Sequence, residues 1–195
     1  ALIFGLVVLA TAITTCLVGD SLTVLDRSDP AIRSGLQRWL AVVVAILLVA
    51  FSVIPPITGR LGVGDSVLLA FAASFFVIED AFRRWLMALL RFGSLVVVDL
   101  TAAVSSIGFV VISHAVRDGA TITTFITGLL VGQVLATVVA VIVLPGDDRW
   151  IARAVGPDLR SVWNYGAIRG LQQMLRPGMM TLVRVAVIAI VSTAA

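Results

Sequence analysis

The chain has 195 residues, 60% of them hydrophobic and only 13% charged, with a mean hydropathy of +1.13. A soluble domain is about half apolar and a quarter charged, so this composition excludes a soluble globular protein and indicates a polytopic membrane protein. The formal charge of +3 rests on arginine alone, with no lysine; in a membrane protein such a surplus reports on loop placement, and no nucleic-acid partner is expected.

A bilayer-spanning helix takes about 20 mainly apolar residues. Residues 1–18 form the first such run. Because the chain opens on Ala and closes within an apolar run, it is expected to be a piece of a longer protein. A polar loop, 19–38, follows and carries Arg27, Arg33 and Arg38. Within it Asp29-Pro30 predicts an N-cap followed by proline at the first helical position. Run two, 39–54, is then the core of a helix that starts near Pro30 and is expected to stop at Pro55-Pro56.

Run three spans 61–78, but only 66–78 is free of charge, so Asp65 or Glu79 must lie near an interface. Its helix is expected to continue through Trp85 into a charged stretch. There Glu79, Asp80, Arg83, Arg84, Arg91 and Asp99 fall within 21 residues. Glu79/Arg83 and Asp80/Arg84 are i, i+4 pairs with the acid first, the orientation a helix favours. Arg84 and Arg91, seven apart, would share a helical face. This stretch is expected to be a turn that orients the helices, with only its edge at Arg91 and Asp99 a candidate for a functional site. Run four, 92–116, is interrupted by Asp99 and carries His114 at its far end.

Run five, 119–146, is charge-free. Thr124, Gly128, Gly132, Ala136 and Ala140 recur at i+4 and form a ladder on which another helix can approach closely. The ladder is expected to pack within the chain rather than between chains. Residues 147–177 are polar. Ile168, Leu171 and Leu175 oppose Arg169, Gln172, Gln173 and Arg176, the pattern of a basic amphipathic helix lying on a membrane surface. Run six, 179–195, carries Arg184. Successive connections hold 3, 1, 3, 1 and 5 arginines. By the positive-inside rule, loops 19–38, 79–92 and 147–178 are cytoplasmic.

Enzyme chemistry is sparse. One Cys (Cys16) and one His (His114) lie far apart, so neither a His/Cys metal site nor a thiol nucleophile with its base is expected. No phosphate-binding loop, dinucleotide fingerprint or HExxH occurs. The acidic pair Asp147-Asp148 reads as solvation of a helix end. No cofactor is expected, and the chain is not expected to be an enzyme. Ionisable groups within the membrane mark functional sites by default. Asp99 has Ala103 and Ser106 on its face and would point into the protein, towards water or towards Arg91 or Arg184, either as a structural interhelical ion pair or as a functional site. Arg184 either snorkels to the interface or contacts substrate. Gln133 is placed to bond across helices.

The turn EDAFRRWLMALLRFG (79–93) and the later segment WNYGAIRGLQQMLRPGMMTLVRVAVIAIVSTAA, set among helix pairs with short outer loops, carry a resemblance. Together they resemble the polysaccharide-export branch of the multidrug/oligosaccharidyl-lipid/polysaccharide flippase superfamily. The resemblance implies an all-α polytopic membrane bundle, a lobe like that of multidrug antiporters plus the start of a second lobe, with about six transmembrane segments present. Residues 1–146 would be five helices of the N-terminal lobe, 147–177 a cytoplasmic amphipathic connection, and 178–195 the first helix of the C-terminal lobe. It implies a flippase that carries lipid-linked oligosaccharide or polysaccharide precursors across the bacterial inner membrane. Its partners would be a polyprenyl-pyrophosphate glycan, membrane lipids and glycan-assembly enzymes. Arg91, Asp99, Arg184 and Arg84 are the cavity candidates, arginine suiting pyrophosphate by its forked geometry. The alternatives are a cation-coupled multidrug antiporter with Asp99 as coupling site, a membrane-integral glycan-biosynthesis enzyme, and a structural subunit that uses the 128–140 ladder.

Overall fold

The computed structural model describes residues 14–19, 29–117, 121–146 and 156–169, with isolated positions at 21, 24, 25, 119, 179 and 183. Arg184, the Asp147-Asp148 pair and most of runs one and six lie outside the described residues. A π-helical turn, Thr15–Gly19, precedes four long helices: α1 (Pro30–Ile57), α2 (Val63–Ala88), α3 (Phe92–Arg117) and α4 (Ile122–Val143). Residues 159–169 are helical as well, and there is no strand among the described residues. The protein is an all-α bundle. Among the described residues, three helices are long and apolar enough to cross a membrane: α1, α3 over Phe92–Val116, and α4. The helix expected from run three is equally long, but Asp65, Glu79, Asp80, Arg83 and Arg84 set it apart from those three.

The start of α1 follows the sequence pattern. Asp29 is extended, and its Oδ1 accepts the Ala31 N–H at 2.8 Å. α1 runs through Pro55 and Pro56 and stops one residue later at Ile57, so the two i→i−4 bonds that the missing amides forgo lie in its last turn. The proline carbonyls accept from the loop: Gly59 N–H to Pro56 at 3.1 Å and Arg60 N–H to Pro55 at 3.0 Å. Gly59 stands at φ +65, which completes a Schellman motif.

α2 ends in the same motif without a glycine. Leu90 N–H bonds to Met87 and Arg91 N–H to Leu86, both at 2.9 Å, while Leu90 takes φ +58. A side chain in the left-handed region costs about 1–2 kcal/mol. Leu90 is 76% exposed, so it recovers little of that by packing. Leu90→Gly is therefore expected to stabilise the protein by about 1 kcal/mol, read as a higher thermal midpoint in detergent. The turn also places Arg91 beyond the end of α2, so Arg84 and Arg91 do not share a helix as the spacing suggested.

α1 packs on α2, α2 on α4, and α4 on α3, whereas α2 and α3 touch lightly. The order across the bundle is thus α1–α2–α4–α3. Leu36, Val43, Leu47 and Phe51 of α1 are buried with Ala70, Ala73, Val77 and Ala81 of α2, one helical stripe facing another. On α4 every rung of the small-residue ladder is buried. A Cβ at Gly128 would stand 2.8 Å from Val110, and one at Gly132 would stand 2.7 Å from the Ala102 carbonyl and collide with Ser106. The ladder seats α3 against α4, an intramolecular use. Outward, Val42, Ile46, Val49 and Val53 on α1, and Val96, Leu100, Val104, Ile107 and Val111 on α3, form exposed apolar stripes suited to lipid.

Candidate functional site

The N-termini of α1 and α3 meet the C-termini of α2 and α4 at one end of the bundle, and most of the described charges gather there. The last turns of α2 supply Glu79, Asp80, Arg83 and Arg84, one helical turn apart in two pairs. Both i, i+4 pairs form. Arg84 Nε lies 2.9 Å from Asp80 Oδ2, and Arg83 Nε lies 3.7 Å from Glu79 Oε1. Adjacent positions on a helix differ by about 100°, so the two arginines leave α2 in different directions. Arg84 turns to the N-terminal segment and donates from Nη2 to Thr15 Oγ1 at 2.8 Å. It lies against Gly19, where any Cβ would collide with it.

Arg83 turns to α3. Its Nη2 donates to Asp99 Oδ2 at 3.2 Å, while its Nε lies 2.8 Å from Asp99 Oδ1 as an ion contact without hydrogen-bond alignment. Asp99 is therefore paired across helices, with Arg83 rather than with Arg91 as the sequence suggested. Arg91 faces elsewhere. Its Nη1 donates to the Val143 carbonyl at 2.6 Å, in the last turn of α4. A cation there satisfies a terminal carbonyl and meets the negative end of the helix dipole. Of the four cavity candidates, the structure thus places Asp99 in an interhelical pair, Arg84 in an α2–N-terminal tie and Arg91 on a helix end; Arg184 lies outside the described residues.

Sequence reasoning missed two participants. Arg83 was counted as an orientation signal, although it stands seven residues before Leu90 and Asp99 nine after. A tight turn centred on Leu90 brings such positions level across a helical hairpin, and that near-symmetry was the available signal. Glu79 was assigned to a surface elbow but is 3% exposed, the only charged residue in the buried set among the described residues. Burial of a carboxylate needs a cation nearby, and Arg83 supplies it. At the opposite end the other interfacial candidate, Asp65, accepts from Thr123 Oγ1 at 2.7 Å and serves the first turns of α2 and α4 together.

The 156–169 segment closes over the charged end. Asp158 N–H donates to the Ala31 carbonyl at 3.1 Å, and the glycine at 35 permits this approach, since a Cβ there would stand 2.8 Å from the Asp158 carbonyl oxygen. Asp158 caps the helix that follows by accepting from Ser161 N–H at 2.9 Å. The Ser161 hydroxyl and then its backbone N–H hold the Asp158 carboxyl below its usual range. Trp39 stacks on Trp163 with ring centres 5.0 Å apart, and its Nε1 donates to the Leu159 carbonyl at 3.3 Å. The Arg33 guanidinium lies 5.8 Å from the centre of the Trp85 ring, within cation–π range. Residues 159–169 are helical and docked on α1, with Ile168 and Arg169 exposed; the remaining residues that carry the expected amphipathic pattern, 171–176, lie outside the described residues.

At the far end, Phe109, Ile112, Ser113 and Thr124 line an open depression of about 460 Å³ between α3 and α4. Its threonines serve the chain itself. Thr121 caps α4 through the Thr124 N–H, and Thr127 donates to the Thr123 carbonyl. No group of three metal-ligand side chains occurs among the described residues. The charged end holds no pairing of nucleophile and base. What it does hold is an interhelical arginine–carboxylate pair. No protein-family model, curated protein or solved structure matches the chain.

Proposed function

We propose that the chain is the membrane part of a transporter that moves a lipid-linked oligosaccharide or polysaccharide precursor across the bacterial inner membrane, with the charged end cytoplasmic. The observation that carries this reading is the Glu79–Arg83–Asp99 cluster, which ties two helices of a membrane bundle with ionisable groups. Such groups are expensive within a membrane protein and mark ion or substrate paths. The arginine-rich connections and the resemblance of the 79–93 turn to polysaccharide flippases point the same way. The substrate implied is a glycan on a polyprenyl diphosphate, and Arg91 and Arg184 are the cations proposed to steer it to the cavity.

The test is translocation of a fluorescent lipid-linked oligosaccharide by the full chain in vesicles. Arg91→Gln and Arg184→Gln are expected to abolish transport at unchanged membrane abundance. Normal transport by both would remove these residues from the path. Cation-coupled antiport on the same fold is favoured by one observation, the burial of Glu79. In that case Glu79→Gln abolishes ion-driven efflux of a cationic drug, and lipid-linked glycan is not moved.

A further inference from the structure

We infer that Asp99 is a built-in stand-in for the substrate's diphosphate: it occupies Arg83 until a diphosphate takes its place, and that exchange unties α3 from α2. This rests on the transporter reading and assigns it a recognition residue and a trigger.

The geometry carries the inference in four steps. Asp99 accepts one hydrogen bond from Arg83 Nη2 at 3.2 Å and sits 2.8 Å from its Nε as an ion contact. A phosphate offers the same kind of acceptor oxygen to that donor, so one anion can replace the other at Arg83. The pair is also reachable. The side chains of Arg83 and Asp99 are 30% and 42% exposed, whereas Glu79 on the other side of Arg83 is 4% exposed.

Glu79 then fixes the direction. From one turn earlier on the same helix, it holds Arg83 from the buried side at 3.7 Å. Arg83 therefore has an anchored inner partner and an exchangeable outer one. Finally, the exchange has a mechanical consequence. α2 and α3 touch lightly and are bridged by α4, so beyond the three-residue turn that joins them the Arg83–Asp99 pair is a direct side-chain tie between them at this end. A diphosphate, with more than one negative charge, outcompetes a single carboxylate for the same guanidinium. Released Asp99 leaves α3 held by its ladder contacts with α4 and by Arg91 on Val143. Arg84 is paired to an acid on its own helix, and Arg91 is bonded to a backbone carbonyl.

The experiment measures binding of farnesyl diphosphate and of inorganic pyrophosphate to the full chain in detergent, for wild type, Asp99→Asn and Arg83→Gln. Removal of a partly exposed competitor is worth up to about fivefold, so Asp99→Asn is expected to bind about three- to fivefold more tightly. Loss of the guanidinium in Arg83→Gln is expected to weaken binding about tenfold or more. Tightening for farnesyl diphosphate, with or without pyrophosphate, supports the inference with a lipid as the source. Tightening for pyrophosphate alone overturns the lipid assignment. Unchanged or weaker binding by Asp99→Asn, unchanged binding by Arg83→Gln, or no wild-type binding of either probe overturns the inference outright.

Hydrogen exchange on the wild type keeps the test open should the variants misfold. Bound diphosphate is expected to speed exchange of the amides at 95–100, and undisturbed protection under saturating diphosphate overturns the untying step. Vesicle transport separates the two levels. Wild-type translocation of lipid-linked glycan, with affinities indifferent to Asp99→Asn, sinks the stand-in and leaves the transporter standing. Absence of wild-type translocation sinks both.

Discussion

Gly132→Ala is expected to destabilise the protein by about 2–3 kcal/mol, one of the two largest effects anticipated for a single substitution in this bundle. The new methyl carbon would stand 2.7 Å from the Ala102 carbonyl oxygen and collide with Ser106. The serine hydroxyl can rotate away, but a helix carbonyl cannot. α3 must therefore shift outward from α4, and the contacts at Gly128 open with it, since a Cβ there is already 3.1 Å from the Ser106 carbonyl. Gly108 on α3 is the internal control. Nothing lies within 4 Å of a Cβ at that position, so Gly108→Ala gains up to about 1 kcal/mol from helix propensity. Denaturant titration of both variants in micelles checks the contrast. Equal stabilities would mean that α3 and α4 do not approach as closely as the ladder requires.

That ladder was legible in the sequence because its signal is local and periodic. Five small residues at i+4 admit one physical use, close approach of a helix. The start of α1 was legible for the same reason, as Asp29 and Pro30 settle their own backbone. The end of α1 lies one residue beyond the expected Pro55-Pro56 stop, since the prolines break the i→i−4 bonding only in the last turn. Run three was harder. Its charges sit in the helix, and α2 holds them by pairing acid with base along the chain and across to α3.

The site was only partly legible. Asp99 stood out as a charge inside an apolar run, and its interhelical pairing was one of the two roles read from it. Its partner was not identified, because helix direction and loop length together decide which residues meet, and the three-residue turn at Leu90 was not read from the sequence. Arg91 looked like a cavity residue because it borders the span. The structure turns it to the end of α4 through contact with a backbone carbonyl, and no side-chain pattern encodes such a partner. Burial of Glu79 was invisible for a related reason: the packing of α4 against α2 is a long-range fact. A charge-counting rule assigns sides of a membrane, and it does not report depth.

The two carboxylates around Arg83 should respond very differently when they lose it, and this is the sharpest energetic prediction. Arg83→Gln leaves Glu79 buried without its nearest cation. Breaking one side of a buried pair costs about 3–5 kcal/mol, and the partial exposure of Arg83 places the expected loss near the lower end, about 2–3 kcal/mol. Asp99→Asn removes the more exposed partner and is expected to cost about 1 kcal/mol or less, as for pairs near a surface. The double variant Glu79→Gln/Arg83→Gln is expected to recover most of the loss, because two neutral amides can bond each other and no charge is left buried. Asp99→Asn/Arg83→Gln is expected to recover little. Unfolding measurements on these four variants, on Glu79→Gln and on the parent give two coupling energies from one arginine, and the Glu79 value should exceed the Asp99 value. If the Asp99 coupling is the larger, the anchored partner is Asp99, and it cannot then be the carboxylate that a diphosphate displaces. The stability cycle therefore decides which side of Arg83 is fixed, independently of any transport assay.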